Sequence, residues 1–177
     1  TIPMTWIYWN FTHNLVGAIV AAVVMLVLGF LLSAVGGYLV GLVGGSNQPV
    51  SGLTLSALIL AALLMVAFGV TGLQGVGAVL GVSAVVCCAI CVSGSLIQDL
   101  KVGHLLGGTP KKMEIAEIVA TVTTSFVLVF PMLALHEANK ALGGIGIGDR
   151  ELSAPQAGLM AQLAQGIVGG EMPWGLI

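Results

Sequence analysis

Charge is the scarcest property of this sequence. Only 7% of its 177 residues are charged and the formal net charge is −2, whereas soluble domains carry about 25% charged residues. The polar surface is therefore too small to cover a globule that faces water on all sides, and there is no basic footprint for nucleic acid. A soluble globular domain and a nucleic-acid-binding protein are both excluded.

The common catalytic and metal-binding patterns are also missing. There is no G-x-S-x-G, H-E-x-x-H or phosphate-loop motif, and the three histidines are far apart in the sequence. Cys87, Cys88 and Cys91 lie in one apolar run, without the βαβ context of a redox motif or the further ligands of a zinc site. Buried thiols that pack as small apolar groups are the favoured interpretation. We predict no enzyme, no metal and no cofactor; a membrane redox enzyme that uses Cys88 and Cys91 is kept as an alternative.

Long apolar runs are what the sequence does contain. Hydrophobic residues make up 58% of the chain, and a run of about 18 apolar residues or more is typical of a membrane-spanning helix. A shorter amphipathic segment follows Pro155, and another apolar run begins after Glu171. We predict an all-α, polytopic integral membrane protein with about four spanning helices, a short re-entrant or interfacial helix and the start of another span. Residues 1–177 are expected to form a single membrane-embedded segment of a larger protein. The predicted spans cover residues 15–43, 53–70, 76–97 and 114–135.

Small residues recur at every fourth position in the second half of the first run. They are Gly29, Ser33, Gly37, Gly41 and Gly45. On a helix this spacing forms a stripe along one face, which lets a neighbouring helix approach closely. The stripe predicts a role in helix packing and favours a continuous helix through to Gly45.

An uncharged polar stretch, residues 44–54, interrupts the apolar sequence. Pro49 lacks a backbone donor and disfavours helical geometry at Gln48. Backbone groups released in this way need partners, because lipid supplies no hydrogen bonds. Two interpretations stay open: a tight, solvated turn between two membrane helices, and a helix break that faces a polar cavity, as in transporters.

A second polar stretch covers residues 98–112. Lys101, Lys111 and Lys112 are expected in one short loop, which the positive-inside rule places on the cytoplasmic side. Asp99 lies close to Lys101. At membrane depth this carboxylate is a candidate for a proton relay, whereas at headgroup level the two residues form an ordinary solvated pair.

The two polar stretches together resemble the oligopeptide transporter superfamily, which includes the yellow-stripe-like metal–chelate transporters. Residues 45–54 (Gly-Ser-Asn-Gln-Pro-Val-Ser-Gly-Leu-Thr) are similar to the polar signature of that family. Residues 98–112 (Gln-Asp-Leu-Lys-Val-Gly-His-Leu-Leu-Gly-Gly-Thr-Pro-Lys-Lys) are similar to its second signature in the prokaryotic form. Residues 152–156 and 172–175 follow in the expected order.

The resemblance implies part of a secondary active transporter in a prokaryotic inner (cell) membrane, with proton-coupled import of small peptides or peptide-like metal chelates. The implied partners are the substrate, protons, the lipid bilayer and the remainder of the same transporter; a homo-oligomer stays open. A non-transporting membrane subunit or helical scaffold is the alternative. The residues implied in the substrate cavity are Asn47, Gln48, Pro49 and Ser51. The residues implied as a gate or coupling pair are Asp99 and Lys101.

Overall fold

The computed structural model describes Trp6, Trp9 and residues 15–170. These residues form helices and the turns and loops that connect them, and they contain no strand. Four helices are long and apolar enough to cross a membrane. The result confirms the predicted all-α class with four spanning helices and a short further helix; the predicted start of another span after Glu171 lies outside the described residues. The helices are α1 (Leu15–Val43), α2 (Val50–Ala67), α3 (Gly72–Leu106), α4 (Pro110–Ala141) and α5 (Pro155–Gly169), with a short 3-10 helix (Gly45–Asn47) between α1 and α2.

The helices α2, α3 and α4 begin three or four residues before the predicted spans, α2 ends at Ala67 instead of Val70, and α4 ends at Ala141 instead of Leu135. The ends of α1 and α3 also differ from the sequence prediction. The helix that was expected to continue through Gly45 ends at Val43, because Gly44 adopts a φ of +83°, a conformation that leaves the right-handed helix and that glycine tolerates without a steric penalty. The helix α3 continues to Leu106 instead of ending near Ile97. After its first residue, Gly72, this helix contains neither a proline nor a glycine of positive φ, and the next such glycine is Gly107. Lys101 therefore lies on a helix, and the expected polar loop is wrong.

The chain divides into two compact units, and the first contains the described residues up to Gln98 together with those from Met160 onward. Its core is formed by α1, α2, α3 and the later part of α5. Leu58, Met65 and Ile90 are the largest apolar side chains that are fully buried there. Alanines such as Ala21 and Ala61 fill the remaining core positions and permit close helix packing. The single membrane-embedded segment expected over residues 1–177 stays a prediction.

The second unit, residues 99–159, contains α4 and the connection to α5. The helix α4 begins with Pro110 at its first position, where the missing N–H of proline does no harm, and Thr109 precedes it in an extended conformation. Pro131 lies inside α4, and the helix continues to Ala141. No residue in the most apolar stretch of α4 is buried.

The glycine-rich loop after α4, residues 143–148, folds back onto the last turns of α4. The Gly146 amide donates to Oδ1 of Asn139 at 2.8 Å, and the next amide, of Ile147, donates to Nδ1 of His136 at 3.1 Å. Asn139 is 8% exposed. Two neighbouring backbone donors are thus held by two side chains of one helix, so the loop has a defined conformation.

Candidate functional site

The polar stretch between α1 and α2 forms a break in the helical backbone, which we define as residues 44–49. After Gly44, a single turn of 3-10 helix leads to Gln48, which is extended with φ −64° and ψ 124°. The predicted cause holds here, since Pro49 disfavours helical geometry in the residue before it. Pro49 then serves as the N-cap of α2, and its carbonyl accepts the amide of Leu53 at 3.0 Å.

Side chains of the break replace some of the lost helical hydrogen bonds. Nδ2 of Asn47 donates to the carbonyl of Val43 at 3.3 Å, and so caps the last turn of α1. The amide of Val50 donates to the carbonyl of Gln48 at 2.8 Å. These bonds satisfy backbone acceptors that lose their helical partners at the break. Asn47, Pro49 and Ser51 are exposed in the structure, whereas Gln48 is half-buried.

Gln48 reaches across to α3. Its Nε2 donates to the carbonyl of Ile90 at 2.9 Å. The end of the side chain lies directly over Gly94, one turn further along α3: a methyl group at Gly94 would be 2.5 Å from Oε1 of Gln48. Only a glycine leaves room for this approach, because real Cβ atoms do not come that close to other heavy atoms. Gly36 of α1 borders the same amide, with 3.1 Å from its would-be methyl group to Nε2.

A second glutamine makes the reverse contact. Gln98 of α3 lies over Gly45 of the break, where a methyl group would be 2.6 Å from Oε1 and 2.8 Å from Nε2 of Gln98. Gln48 of the break thus covers a glycine of α3, and Gln98 of α3 covers a glycine of the break. Gln98 itself is exposed.

The small-residue stripe on α1 contacts α3 only in part. Oγ of Ser93 donates to the carbonyl of Ser33 at 2.7 Å, and a methyl group at Gly37 would be 2.6 Å from the same Oγ. Gly45 makes the contact with Gln98 described above. At Gly29 and Gly41, in contrast, an added methyl group would meet nothing within 4 Å among the described residues. The stripe therefore contacts α3 at three of its five positions.

Asp99 and Lys101 are both exposed and lie two residues apart in α3. They form no ion pair with each other; the salt bridge found in the described part of the chain joins Lys140 to Glu137 at 3.7 Å. The reason is geometric, since side chains two residues apart point to different sides of a helix. The role of Asp99 and Lys101 as a gate or coupling pair stays a prediction.

Sequence reasoning missed the α3 side of this site. Ile90, Gly94 and Gln98 are spaced by four residues, so they lie on one face of a helix. This spacing was a usable signal, because the small-residue stripe of α1 has the same four-residue spacing. What the sequence could not indicate was that this face meets the break, because the contact joins residues 46 positions apart in the chain (Gln48 and Gly94).

The cysteines offer no further site. Cys87 is half-buried, and Cys88 and Cys91 are exposed; all three are free thiols. In the described residues no group of three or more His, Cys, Asp or Glu side chains is arranged to hold a metal ion.

The comparisons with known proteins agree with one another. A family model described as "OPT oligopeptide transporter protein" matches residues 1–177. A curated protein of Haemophilus influenzae (strain ATCC 51907 / DSM 11121 / KW20 / Rd), named "Putative oligopeptide transporter", is 32% identical over 160 residues, which are 83% of this chain and 25% of the relative. The chain thus spans about a quarter of the length of that relative. No solved structure matches this chain at a significant level.

Proposed function

This chain belongs to the OPT oligopeptide transporter family, and on that premise we propose that it is one part of a secondary active transporter. The proposed activity is proton-coupled import of small peptides or peptide-like metal chelates across a prokaryotic inner membrane. Membership of the family and four apolar helices make the chain part of an integral membrane protein. They also favour a transporter over an enzyme.

The observation that carries the proposal is the uncharged, hydrogen-bonding break between two apolar helices. Asn47 in the break and Ser51 in the first turn of α2 are both exposed and present an amide and a hydroxyl. The Nδ2 of Asn47 also bonds to the carbonyl of Val43, so its Oδ1 is the group proposed to contact substrate. Such groups can both donate to and accept from a peptide backbone, and transporters place broken helices of this kind beside their substrates. We assign substrate contact to Asn47 and Ser51.

Gln48 and Pro49 have a different part in this proposal. Because the Nε2 of Gln48 is already bound to the carbonyl of Ile90, this side chain holds the break in place, and Pro49 keeps the backbone out of the helix. Asp99 and Lys101 act separately, Asp99 as a carrier of the coupled proton and Lys101 as a charge at the end of the pathway.

The test is uptake by reconstituted vesicles that contain the full-length protein. We expect Asn47→Ala and Ser51→Ala to raise the KM for peptide roughly 2- to 10-fold, which corresponds to one lost hydrogen bond of about 0.5–1.5 kcal/mol. Ser56→Ala is the matched control: Ser56 is exposed on the same helix as Ser51, and its hydroxyl bonds only to the carbonyl of Gly52. The amount of protein in the membrane is measured for every variant.

Peptide uptake that is the same for all three variants would count against substrate contact at the break. Uptake that does not respond to an imposed proton gradient would remove the coupling ion from the proposal. A protein that takes up neither peptides nor chelates in vesicles would favour the alternative of a non-transporting membrane subunit.

A further inference from the structure

Two glutamine–glycine contacts connect the break to α3 in opposite directions. Gln48 lies over Gly94, and Gln98 lies over Gly45. We infer that these four residues form a latch that fixes the break against α3, and that Gly94 and Gln98 are therefore positioning residues for substrate binding. The part that concerns substrate rests on the proposed function; the latch itself does not.

The latch is built from groups that can separate and close again without loss of the fold. Its one direct hydrogen bond, from Nε2 of Gln48 to the carbonyl of Ile90, is made to an acceptor that also belongs to helix α3. Hydrogen bonds between membrane helices contribute little on average, equivalent to about a threefold change in an equilibrium. A contact of this strength holds one conformation in the majority while it leaves the other accessible.

The glycines decide whether the latch can close. Ile90, Gly94 and Gln98 occupy successive turns of one face of α3. Because glycine has no side chain, Gly94 leaves space beside the carbonyl of Ile90, which accepts the hydrogen bond from Gln48. A methyl group at Gly94 would displace the far end of a flexible side chain rather than any backbone. Gly94→Ala should therefore open the latch and leave the bundle folded.

The second contact of the latch is made by the side-chain amide of Gln98. Gly45 begins the 3-10 turn of the break, and the amide of Gln98 covers its Cα. With Gln48 at the other end of the same turn, the break is held at both ends. A single contact would fix only one end of the 3-10 turn against α3.

The experiment measures hydrogen exchange over residues 44–54 of the full-length protein in lipid nanodiscs. Gly94→Ala should raise exchange in this segment about threefold relative to the wild type. Gly77→Ala is the matched control, since Gly77 lies on the same helix with nothing within 4 Å of an added methyl group. At the other contact, Gly45→Ala is compared with Gly41→Ala, which is likewise open.

A double variant tests that the effect passes through Gln48. Once Gln48→Ala has removed the side chain, adding Gly94→Ala should cause no further rise in exchange. Gln48→Leu, which keeps the bulk and loses the donor, should open the latch as Gly94→Ala does. If Gly94→Ala and Gly77→Ala give the same exchange, or if the double variant is additive, the latch is refuted.

Uptake kinetics then separate the latch from the proposed function. If the latch positions the substrate groups, Gly94→Ala and Gln98→Ala raise KM, because the competent conformation is less populated. The rise in KM is smaller than the rise in exchange, since KM follows the inverse of the closed fraction and exchange follows the open fraction. An unchanged KM with raised exchange refutes the positioning role. Failure of Asn47→Ala to affect uptake refutes the proposed substrate contact, and the exchange result stands independently of it.

Discussion

Replacing Gly75 by alanine should destabilise the first unit, whereas the same change two residues later should not. Gly75 lies in the first turn of α3, where a methyl group would be 2.7 Å from Cγ1 of Val168 and 2.8 Å from the carbonyl oxygen of Val70. Val168 is 3% exposed, and the Val70 carbonyl is backbone. Neither neighbour can move away freely, in contrast to the glutamine ends at Gly94 and Gly45.

The magnitude follows from a comparison with Gly77. Both substitutions gain about 1 kcal/mol of helix propensity, because alanine loses less backbone entropy than glycine, and this gain cancels in the difference between them. What remains is the overpacking at Gly75, typically 1–3 kcal/mol, since Gly77 has nothing within 4 Å of an added methyl group. We expect the unfolding equilibrium constant of Gly75→Ala to exceed that of Gly77→Ala by roughly 5- to 150-fold.

The assay is reversible unfolding of the two variants in mixed micelles, followed by circular dichroism, with the wild type as reference. Gly77→Ala should be as stable as the wild type or more stable. Equal stability of the two variants would mean that the start of α3 does not pack against Val168 and Val70 as the structure has it, and the reasoning about Gly75 would fail.

Two further predictions concern the cysteines and the loop after α4. Replacement of Cys87, Cys88 and Cys91 together by alanine should leave vesicle uptake within about twofold, because the thiols act only as small apolar groups; abolished activity would instead favour the redox enzyme. His136→Phe should raise hydrogen exchange of the Ile147 amide roughly 2- to 10-fold, since the acceptor Nδ1 is lost. An exchange rate of the Ile147 amide that is the same in His136→Phe as in the wild type would contradict this contact.

Local rules predicted the features that depend on neighbouring residues. The start of α2 after Pro49 and the start of α4 at Pro110 follow from the fixed φ and missing donor of proline. The four apolar helices follow from length and composition. The end of α1 was misplaced by two residues, because both Gly44 and Gly45 fit a helix stop and the spacing of the stripe favoured the later one.

The candidate site was less predictable because its contacts are long-range. The resemblance implied Asn47 and Ser51 as site residues, but the contacts that Gln48 and Gly45 make with α3 leave no local mark in the sequence. The role of Gln48 depends on the carbonyl of Ile90, 42 residues away. Gln98 was noticed only as part of a polar stretch, since its contact with Gly45 arises from the packing of two helices and not from either helix alone.

Pro131 has a consequence for whatever surrounds α4. Because its ring nitrogen carries no hydrogen, the carbonyl of Val127 receives no bond from the residue one turn later, and the helix nevertheless continues for ten residues to Ala141. In hydrocarbon a bare carbonyl is costly, and membrane helices satisfy it with a hydroxyl, an amide or a water molecule from outside. The middle of this apolar helix therefore carries a carbonyl that can accept a hydrogen bond from outside. A neighbouring helix that donates to it would be held in one rotational orientation against α4.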